Sequence, residues 1–328
     1  MKTCGLLFSF GLTLFAQQPS VENAKLETRA FSGTLSAQLS GLGAGPFWAA
    51  WSEPIIAGQH GDMCSWNRND GSGRIATAPM RLEGEVALVI LIRVEFGQTD
   101  QLRVTSPDCL LDVGGLPFYT ISGVPAGESV AWLKTQVAGP HSDMAVMAIS
   151  HHQGAVAEQA LDELTTTSQP VAVRKRAAFW LGNARGADGV AVLKRMLANE
   201  PNADVRDRVV FALSQSNDPG GLPLVLDAAR NDKDPHIRGQ ALFWLAQKAA
   251  AQVSKNAIEN ALSNDPESSV RERAVFALSQ LPNGQGVPML IDLAKTHRDP
   301  AVRKKAMFWL GQSKDPRALD FFAQTLKP

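Results

Sequence analysis

Apolar residues in the second half of the chain follow a pattern that is repeated five times. Counted from an anchoring Val or Ile, apolar positions fall at offsets 0, 4, 7 and 8, as in Val173, Ala177, Trp180 and Leu181, which lie on one face of an α-helix. A polar turn and a second amphipathic run complete each copy. A fixed period of about 32 residues predicts a tandem array of helical hairpins. The anchors, each followed by Arg, are Val173, Val205, Ile237, Val270 and Val302.

One such hairpin cannot fold alone. Six or seven inward apolar side chains contribute on the order of 10 kcal/mol, whereas ordering about 32 residues costs tens of kcal/mol. Neighbouring hairpins must therefore stack into a continuous superhelix. Large and small residues alternate at offset 7, so a Trp of one hairpin is expected to fill the space left by the Ala of the next. The residues at this offset are Trp180, Ala212, Trp244, Ala277 and Trp309.

The last copy, DPAVRKKAMFWLGQSKDPRALDFFAQTL, resembles the HEAT repeat, in particular the short bacterial form also found in phycobilin lyases. The resemblance covers residues 140–328, with residues 142–164 as a degenerate sixth unit at the start. It implies a mainly α fold, a right-handed α-solenoid of about five to six helical hairpins. Pro235 and Pro300 precede two first helices, with Asp234 and Asp299 as candidate caps.

Residues 20–138 lack this repeat and predict a small α+β domain ahead of a solenoid over residues 139–328. Residues 85–96 and 101–106 predict a β-hairpin with its turn at residues 97–100, since both runs are rich in β-branched and apolar residues. Residues 116–122 and 46–56 predict two more strands, residues 34–42 fit a strand or a helix, and residues 128–137 predict a helix. The domain resembles the leading domain of some secreted bacterial HEAT proteins, which implies no activity.

The chain carries 32 basic and 32 acidic residues, so its formal net charge is zero. No overall field favours nucleic acid or an anionic membrane, and we expect neither as a partner. Residues 1–16 combine one Lys with an apolar run too short to span a bilayer, which predicts a signal peptide cleaved after Ala16. We therefore expect a periplasmic or secreted protein without membrane insertion after cleavage; a buried N-terminal strand or helix is the alternative.

Two cysteines, Cys64 and Cys109, remain after that cleavage. An oxidising compartment favours a disulfide between them, whereas two buried thiols are the alternative.

The sequence contains no HExxH, GxSxG, paired CxxC or Walker motif, so we predict no catalytic residues and no cofactor. The nearest approach to a metal site combines His60, Asp62 and Cys64 with the pair His151-His152. Adjacent histidines on a helix point about 100° apart and rarely bind one ion, so a surface loop is the preferred interpretation and no metal site is predicted.

Two columns of equivalent residues are the candidate partner-binding residues. Offset 6 is aromatic in every copy, which fits either a groove for an apolar partner segment or packing between successive helices. Its members are Phe179, Phe211, Phe243, Phe276 and Phe308. Offset 3 is basic in four copies, which fits either an acidic partner or a solvated face. Its cations are Arg176, Arg208, Arg273 and Lys305.

A third column consists of the arginines at offset 1, which we expect to bind acids and carbonyls of loops in neighbouring hairpins, with Asp204, Asp234, Glu267 and Asp299 within reach.

These patterns favour a secreted, non-catalytic scaffold that binds an extended or acidic protein partner along the array. The alternative is an enzyme or enzyme accessory with its site in the loop of residues 58–74 and the solenoid as substrate holder. Modification or carriage of a tetrapyrrole, by analogy with the lyases, rests on fold resemblance alone.

Overall fold

The computed structural model describes residues 20–56, 64 and 87–325. The chain divides into two compact units, with the division after Ala157. The boundary predicted from the sequence falls earlier, between residues 138 and 139. The predicted signal peptide and most of the loop of residues 58–74 lie outside the described residues.

The first unit contains a mixed β-sheet. Within its described residues, five strands pair in the order β2-β7-β3-β4-β5, with β2-β7 and β7-β3 parallel and the other pairs antiparallel. The strands are β2 (Lys25–Ala30), β3 (Phe47–Pro54), β4 (Ala87–Glu95), β5 (Gln98–Thr105) and β7 (Pro117–Ser122). Two short strands, β1 (Ser20–Glu22) and β6 (Leu110–Asp112), pair in parallel beside it. The four strands predicted from the sequence are confirmed, whereas β1, β2 and β6 were not predicted.

The predicted β4-β5 hairpin forms, but its turn is shorter than expected. Phe96 and Gly97 both have positive φ, 52° and 72°, as in the two-residue turns that match the twist of paired strands. The prediction of a turn at residues 97–100 is therefore wrong, because Gln98 and the residues after it already pair with β4.

Helices α1 (Leu35–Ser40), α2 (Ala126–Gln136) and α3 (Ser142–His151) complete the described part of the first unit. The ambiguous segment of residues 34–42 is helical because Thr34 caps it, accepting a hydrogen bond from the Ala37 amide at 3.3 Å. Helix α3 packs on α2, β4 and β5, so the first helix of the predicted sixth repeat belongs to this unit. Helix α4 (Ala155–Thr165) follows it and spans the division.

The second unit contains five helical hairpins, one for each copy of the sequence pattern. Their helices are α5 (Val171–Ala184) and α6 (Gly186–Asn199), α7 (Ala203–Gln215) and α8 (Gly221–Asn231), α9 (Pro235–Lys248) and α10 (Ala251–Asn264), α11 (Ser268–Ser279) and α12 (Val287–Thr296), and α13 (Pro300–Gln312) and α14 (Pro316–Thr325). The first helices pack in series, α5 on α7, α7 on α9, α9 on α11 and α11 on α13. The predicted α-solenoid, preceded in the chain by an α+β region, is thus confirmed.

The anchoring residues of the five copies form the core between the hairpins. Val205, Ile237, Val270 and Val302 are fully buried and Val173 nearly so. The predicted caps are also confirmed, because Asp234 and Asp299 each accept a hydrogen bond at 2.9 Å from the amide two residues later. A proline follows each of them at the first helical position, where no amide hydrogen is needed.

Candidate interaction surface of the helical array

The five phenylalanines of the offset 6 column lie in one continuous series of ring contacts with the three tryptophans. Phe179 stacks on Phe211 with 6.2 Å between centroids and 6° between planes, and Phe243 stacks on Phe276 at 5.6 Å and 3°. Between these pairs, Trp244 lies 4.8 Å from Phe211 and 4.9 Å from Phe243. We name the series the aromatic ladder; its order is Trp180, Phe179, Phe211, Trp244, Phe243, Phe276, Trp309 and Phe308.

The ladder gives the alternation of Trp and Ala its physical cause. A hairpin with Trp places that ring against the Phe of the hairpin before it, as Trp309 does against Phe276 at 4.8 Å. A hairpin with Ala instead stacks its Phe on the Phe of the hairpin before it, as Phe211 does on Phe179 and Phe276 does on Phe243. Adjacent hairpins therefore meet through two kinds of joint in turn.

Stacking decides which part of each ring can meet a partner. Phe211 has Phe179 and Trp244 beside it, and Phe276 has Phe243 and Trp309. The first four phenylalanines of the column are half-buried. Phe211 and Phe276 thus each have a ring of another hairpin on both sides, so part of their surface is already used by packing within the array. Packing between successive helices is thus confirmed for this column, and partner binding stays a prediction.

The cations of the offset 3 column lie along the same ladder. The guanidinium carbon of Arg208 is 5.3 Å from the Phe211 centroid and 6.0 Å from that of Phe179, within cation–π range. Arg273 donates to the side chains of Gln240 and His236 on the preceding first helix. We name the five phenylalanines together with Arg176, Arg208, Arg273 and Lys305 the aromatic–cationic stripe.

Two members of the stripe differ in their surroundings. Lys305 lies 3.8 Å from Glu272, in a partly exposed pair. Arg176 is half-buried on the first helix of the first hairpin. The four cations thus differ in their contacts, and an acidic side chain lies within ion-pair distance of Lys305.

The offset 1 arginines, in contrast, are structural. Each of the first four binds a carboxylate near the end of its own hairpin and carbonyl oxygens at the end of the preceding segment, as Arg206 does with Asp232 and with the carbonyls of Glu200 and Pro201. The pairs are Arg174 with Glu200, Arg206 with Asp232, Arg238 with Asp265, and Arg271 with Asp299. Arg303 donates to the carbonyls of His297 and Arg298. We name this set the arginine ladder.

Three of its four acids are not those expected from the sequence. Asp204 and Glu267 are not the carboxylates that pair with the arginines. Asp234 makes a longer, second contact with Arg206, with 3.8 Å between nitrogen and oxygen. The arginines pair instead with acids that lie five residues before the next anchor, namely Glu200, Asp232 and Asp265. Each of these carboxylates also accepts a hydrogen bond from the backbone amide two residues later, which holds it in the loop. An acidic residue recurs five positions before three of the anchors, and this recurrence could have identified the pairs from the sequence.

Hydrogen bonding favours the ionised form of two of these carboxylates, Asp265 and Asp299. Burial opposes ionisation of Asp265, but the hydrogen bonds from Arg238 and from the Glu267 amide outweigh it and lower its pKa. Arg271 and the Ala301 amide likewise lower the pKa of Asp299. In these two pairs the arginine and the amide at the loop together stabilise the carboxylate.

The first unit contains a buried polar cluster that sequence reasoning missed. The Ser129 hydroxyl accepts from the Trp51 indole at 2.7 Å and lies 2.8 Å from His152 Nε2. His152 Nδ1 is 2.7 Å from the Ala148 carbonyl, which can only accept, so Nδ1 carries the proton. Glu53 is 3% exposed beside this group, and burial raises its pKa to about 8.

This cluster ties β3, α2 and the end of α3 together. Ser129 and His152 are fully buried, and the group combines a carboxyl, a hydroxyl and an imidazole. The cluster is hard to recognise in the sequence because Glu53 lies 76 positions before Ser129, and Ser129 lies 23 positions before His152.

The remaining candidate residues have mixed outcomes. Cys64 and Cys109 form a disulfide, as predicted. His60 and Asp62 lie outside the described residues, as does the loop of residues 58–74 apart from Cys64. Within the described ranges, no group of three or more His, Cys, Asp or Glu side chains could hold a metal ion. No helix of that part of the chain has the length and apolar composition to cross a bilayer.

Comparison with known proteins agrees with this architecture. Residues 156–246 and 256–327 match the family model of HEAT repeats. A chain from the complex of CpcE and CpcF of phycocyanin lyase from Nostoc sp. PCC7120 is 24% identical, with 48% of this chain and 98% of that chain covered and a TM-score of 0.35.

The structure of human deoxyhypusine hydroxylase in complex with glycerol is 19% identical, with 63% of this chain and 80% of that chain covered and a TM-score of 0.27. No curated protein matches the chain. The matched residues cover α4 and most of the five stacked hairpins, and on that basis the second unit of the chain is an array of HEAT repeats.

Proposed function

We propose that this protein is a periplasmic or secreted, non-catalytic scaffold that binds an extended, acidic segment of a protein partner along the aromatic–cationic stripe. The observation that carries the proposal is the position of Arg208 over both Phe179 and Phe211. It joins the basic and aromatic columns into one surface that follows the first helices of the array.

The chemistry of the stripe supports an acidic partner. Its four cations carry full positive charges, which attract carboxylates, and the rings beside them offer apolar contact. The chain as a whole has no net charge, so this attraction is local and directs a partner to the stripe. Repetition of the same groups from hairpin to hairpin suits a long segment better than a small molecule.

The test compares two charge-reversed variants of the full chain in capture from an envelope extract, read by mass spectrometry. The first changes Arg176, Arg208, Arg273 and Lys305 to Glu. The matched control changes four exposed or half-buried cations of second helices and loops to Glu, namely Lys194, Arg230, Lys233 and Lys255. Both must keep the helical circular dichroism of the wild type.

We expect a partner that the wild type and the control retain and the stripe variant loses. Binding of that partner should also weaken as salt rises from 50 to 500 mM, because exposed charges are screened over about 10 Å at 0.1 M. Equal capture by all three proteins contradicts the stripe as the binding surface. Absence of any specific partner, together with turnover by the full chain, would favour the enzyme alternative.

The proposed location has a separate test. A signal peptide ending at Ala16 requires the mature protein to begin at Gln17. Intact-mass measurement of the protein from its own host gives the start directly, and retention of residues 1–16 contradicts export by this route.

A further inference from the structure

Strand β2 lies at one end of the five-stranded sheet and is exposed along its length. Among the described strands its partner is β7, with which it pairs in parallel from Lys25 to Ala30. Leu26 is 64% exposed, and the side chains of Glu27 and Arg29 are 51% and 39% exposed. The edge of β2 opposite β7 is therefore a place where another strand could add to the sheet.

The backbone of β2 directs every second residue to that edge. The amides of Lys25 and Phe31 donate to carbonyls on the β7 side, at 3.4 and 2.8 Å. Because backbone groups alternate in direction along a strand, the residues between them direct their amides and carbonyls to the opposite edge. These residues are Leu26, Thr28 and Ala30. The carbonyl of Ala30 accordingly accepts a hydrogen bond there from Gln38 Nε2 of α1, at 2.9 Å.

The side chains of β2 complement a second copy of the strand in an antiparallel register centred on Thr28. This register sets Glu27 of each copy opposite Arg29 of the other, and Leu26 opposite Ala30, so two ion pairs and two apolar pairs form. A shift of one strand by two residues keeps the same backbone groups at the edge. It sets either Glu27 or Arg29 opposite its own equivalent, and like charges on opposed positions are unfavourable.

Charged side chains on an edge strand usually prevent a further strand from pairing. In β2 the two signs alternate about Thr28, so the charges that oppose other strands attract a second copy. Within one chain Arg29 Nε lies 2.7 Å from Glu27 Oε1, and the Arg29 guanidinium carbon lies 5.0 Å from the Tyr119 ring centroid. Both charges are thus held on one face of the sheet, where the opposite charges of the second copy would meet them.

We propose that β2 is the contact through which two copies of this protein associate, with the strands antiparallel about Thr28 and the two sheets continuous. The same patch is used on both copies, as a closed two-fold dimer requires. Leu26 of each copy is covered at the contact. A strand of six residues forms a small interface, so the dissociation constant is on the order of 10 to 100 μM. This contact does not rest on the proposed function of the helical array.

Sedimentation velocity of the full chain over a range of about 5 to 500 μM tests the proposal, and we expect the wild type to change from monomer to dimer. Glu27→Arg leaves only cations at the opposed positions, and Arg29→Glu leaves only carboxylates. Each variant alone should associate at least about tenfold more weakly. An equimolar mixture of the two should form a heterodimer, because opposed positions then carry opposite charges.

The chain that carries Glu27→Arg together with Arg29→Glu is the matched control, and it should dimerise as the wild type does. All variants must keep the circular dichroism of the wild type, since the exchanged side chains are exposed and their bridge within one chain contributes little. A wild type that stays monomeric over the whole range overturns the proposal, as does a dimer that either single variant keeps. Association that neither the mixture nor the double exchange restores overturns the register centred on Thr28.

Discussion

Arg238 and Asp265 are joined by two nearly parallel hydrogen bonds, with Nε 2.7 Å from Oδ2 and Nη2 2.9 Å from Oδ1. The same guanidinium also donates to the Asp232 carbonyl, so one side chain connects the two ends of its hairpin. This arrangement, repeated in the arginine ladder, holds the loops between hairpins in place.

Asp265→Ala should therefore lower the free energy of unfolding by about 3 kcal/mol, because it leaves a buried guanidinium without its carboxylate. Chemical denaturation monitored by circular dichroism measures the loss. Asp162→Ala is the control, since Asp162 pairs with Arg195 in an exposed bridge and should cost less than about 1 kcal/mol. Equal effects of the two changes would contradict a structural role for the arginine ladder.

Gly182→Ala should destabilise the array, whereas Gly311→Ala should stabilise it. The first places a methyl 2.5 Å from the backbone of α7, and the second gains helix propensity of about 1 kcal/mol in open space. Thermal melting of both variants gives the comparison directly. A melting temperature of Gly182→Ala at or above that of the wild type would show that α5 and α7 do not approach as closely as described.

Stability of the first unit should fall as pH rises from about 5 to 8. The folded-state pKa of Glu53, about 8, lies above its usual value, so the folded state binds more protons than the unfolded state in this window. Deprotonation of Glu53 as the pH rises to 8 therefore lowers the free energy of unfolding by at most about 5 kcal/mol. The loss levels off above pH 8. Glu53→Gln should remove this dependence, read by hydrogen exchange of β3 peptides across the pH range; a Gln variant with the wild-type slope would place the titration elsewhere.

Reduction of the Cys64–Cys109 disulfide should lower the stability of the first unit by about 4 kcal/mol in the chain-entropy model, given a separation of 45 residues. Cys64→Ser with Cys109→Ser should reproduce the effect of reductant and become insensitive to it. Two titratable thiols in the protein purified from its host would contradict the bond.

The sequence predicted the repeat array well because its signal is local and repeated. Val173 and its equivalents fix one face of each first helix, and five copies average out the irregularities of any one. The contacts of the Phe column were harder to predict, because offset 6 alone does not tell whether Phe211 meets a ring, a methyl group or solvent.

The first unit was predicted less completely. Strand β2 was missed because its alternating polar residues, such as Lys25 and Glu27, lie exposed at the sheet edge and leave no apolar pattern. The polar cluster of Glu53, Ser129 and His152 depends on three elements meeting in space, and no spacing along the chain specifies that meeting. Helix α3 has a repeat-like pattern but packs on the sheet, since its apolar residues suit either neighbour.

The two kinds of joint between hairpins restrict how such an array can grow or shrink. Deleting one hairpin, for example α7 with α8, would set Trp180 and Trp244 in adjacent layers and remove the stacked pair of Phe179 and Phe211. Deleting two consecutive hairpins preserves the order of large and small layers. The unit of insertion and deletion in this protein is thus a pair of hairpins, about 64 residues, and lengths that differ by an odd number of hairpins should require compensating substitutions at the new joint.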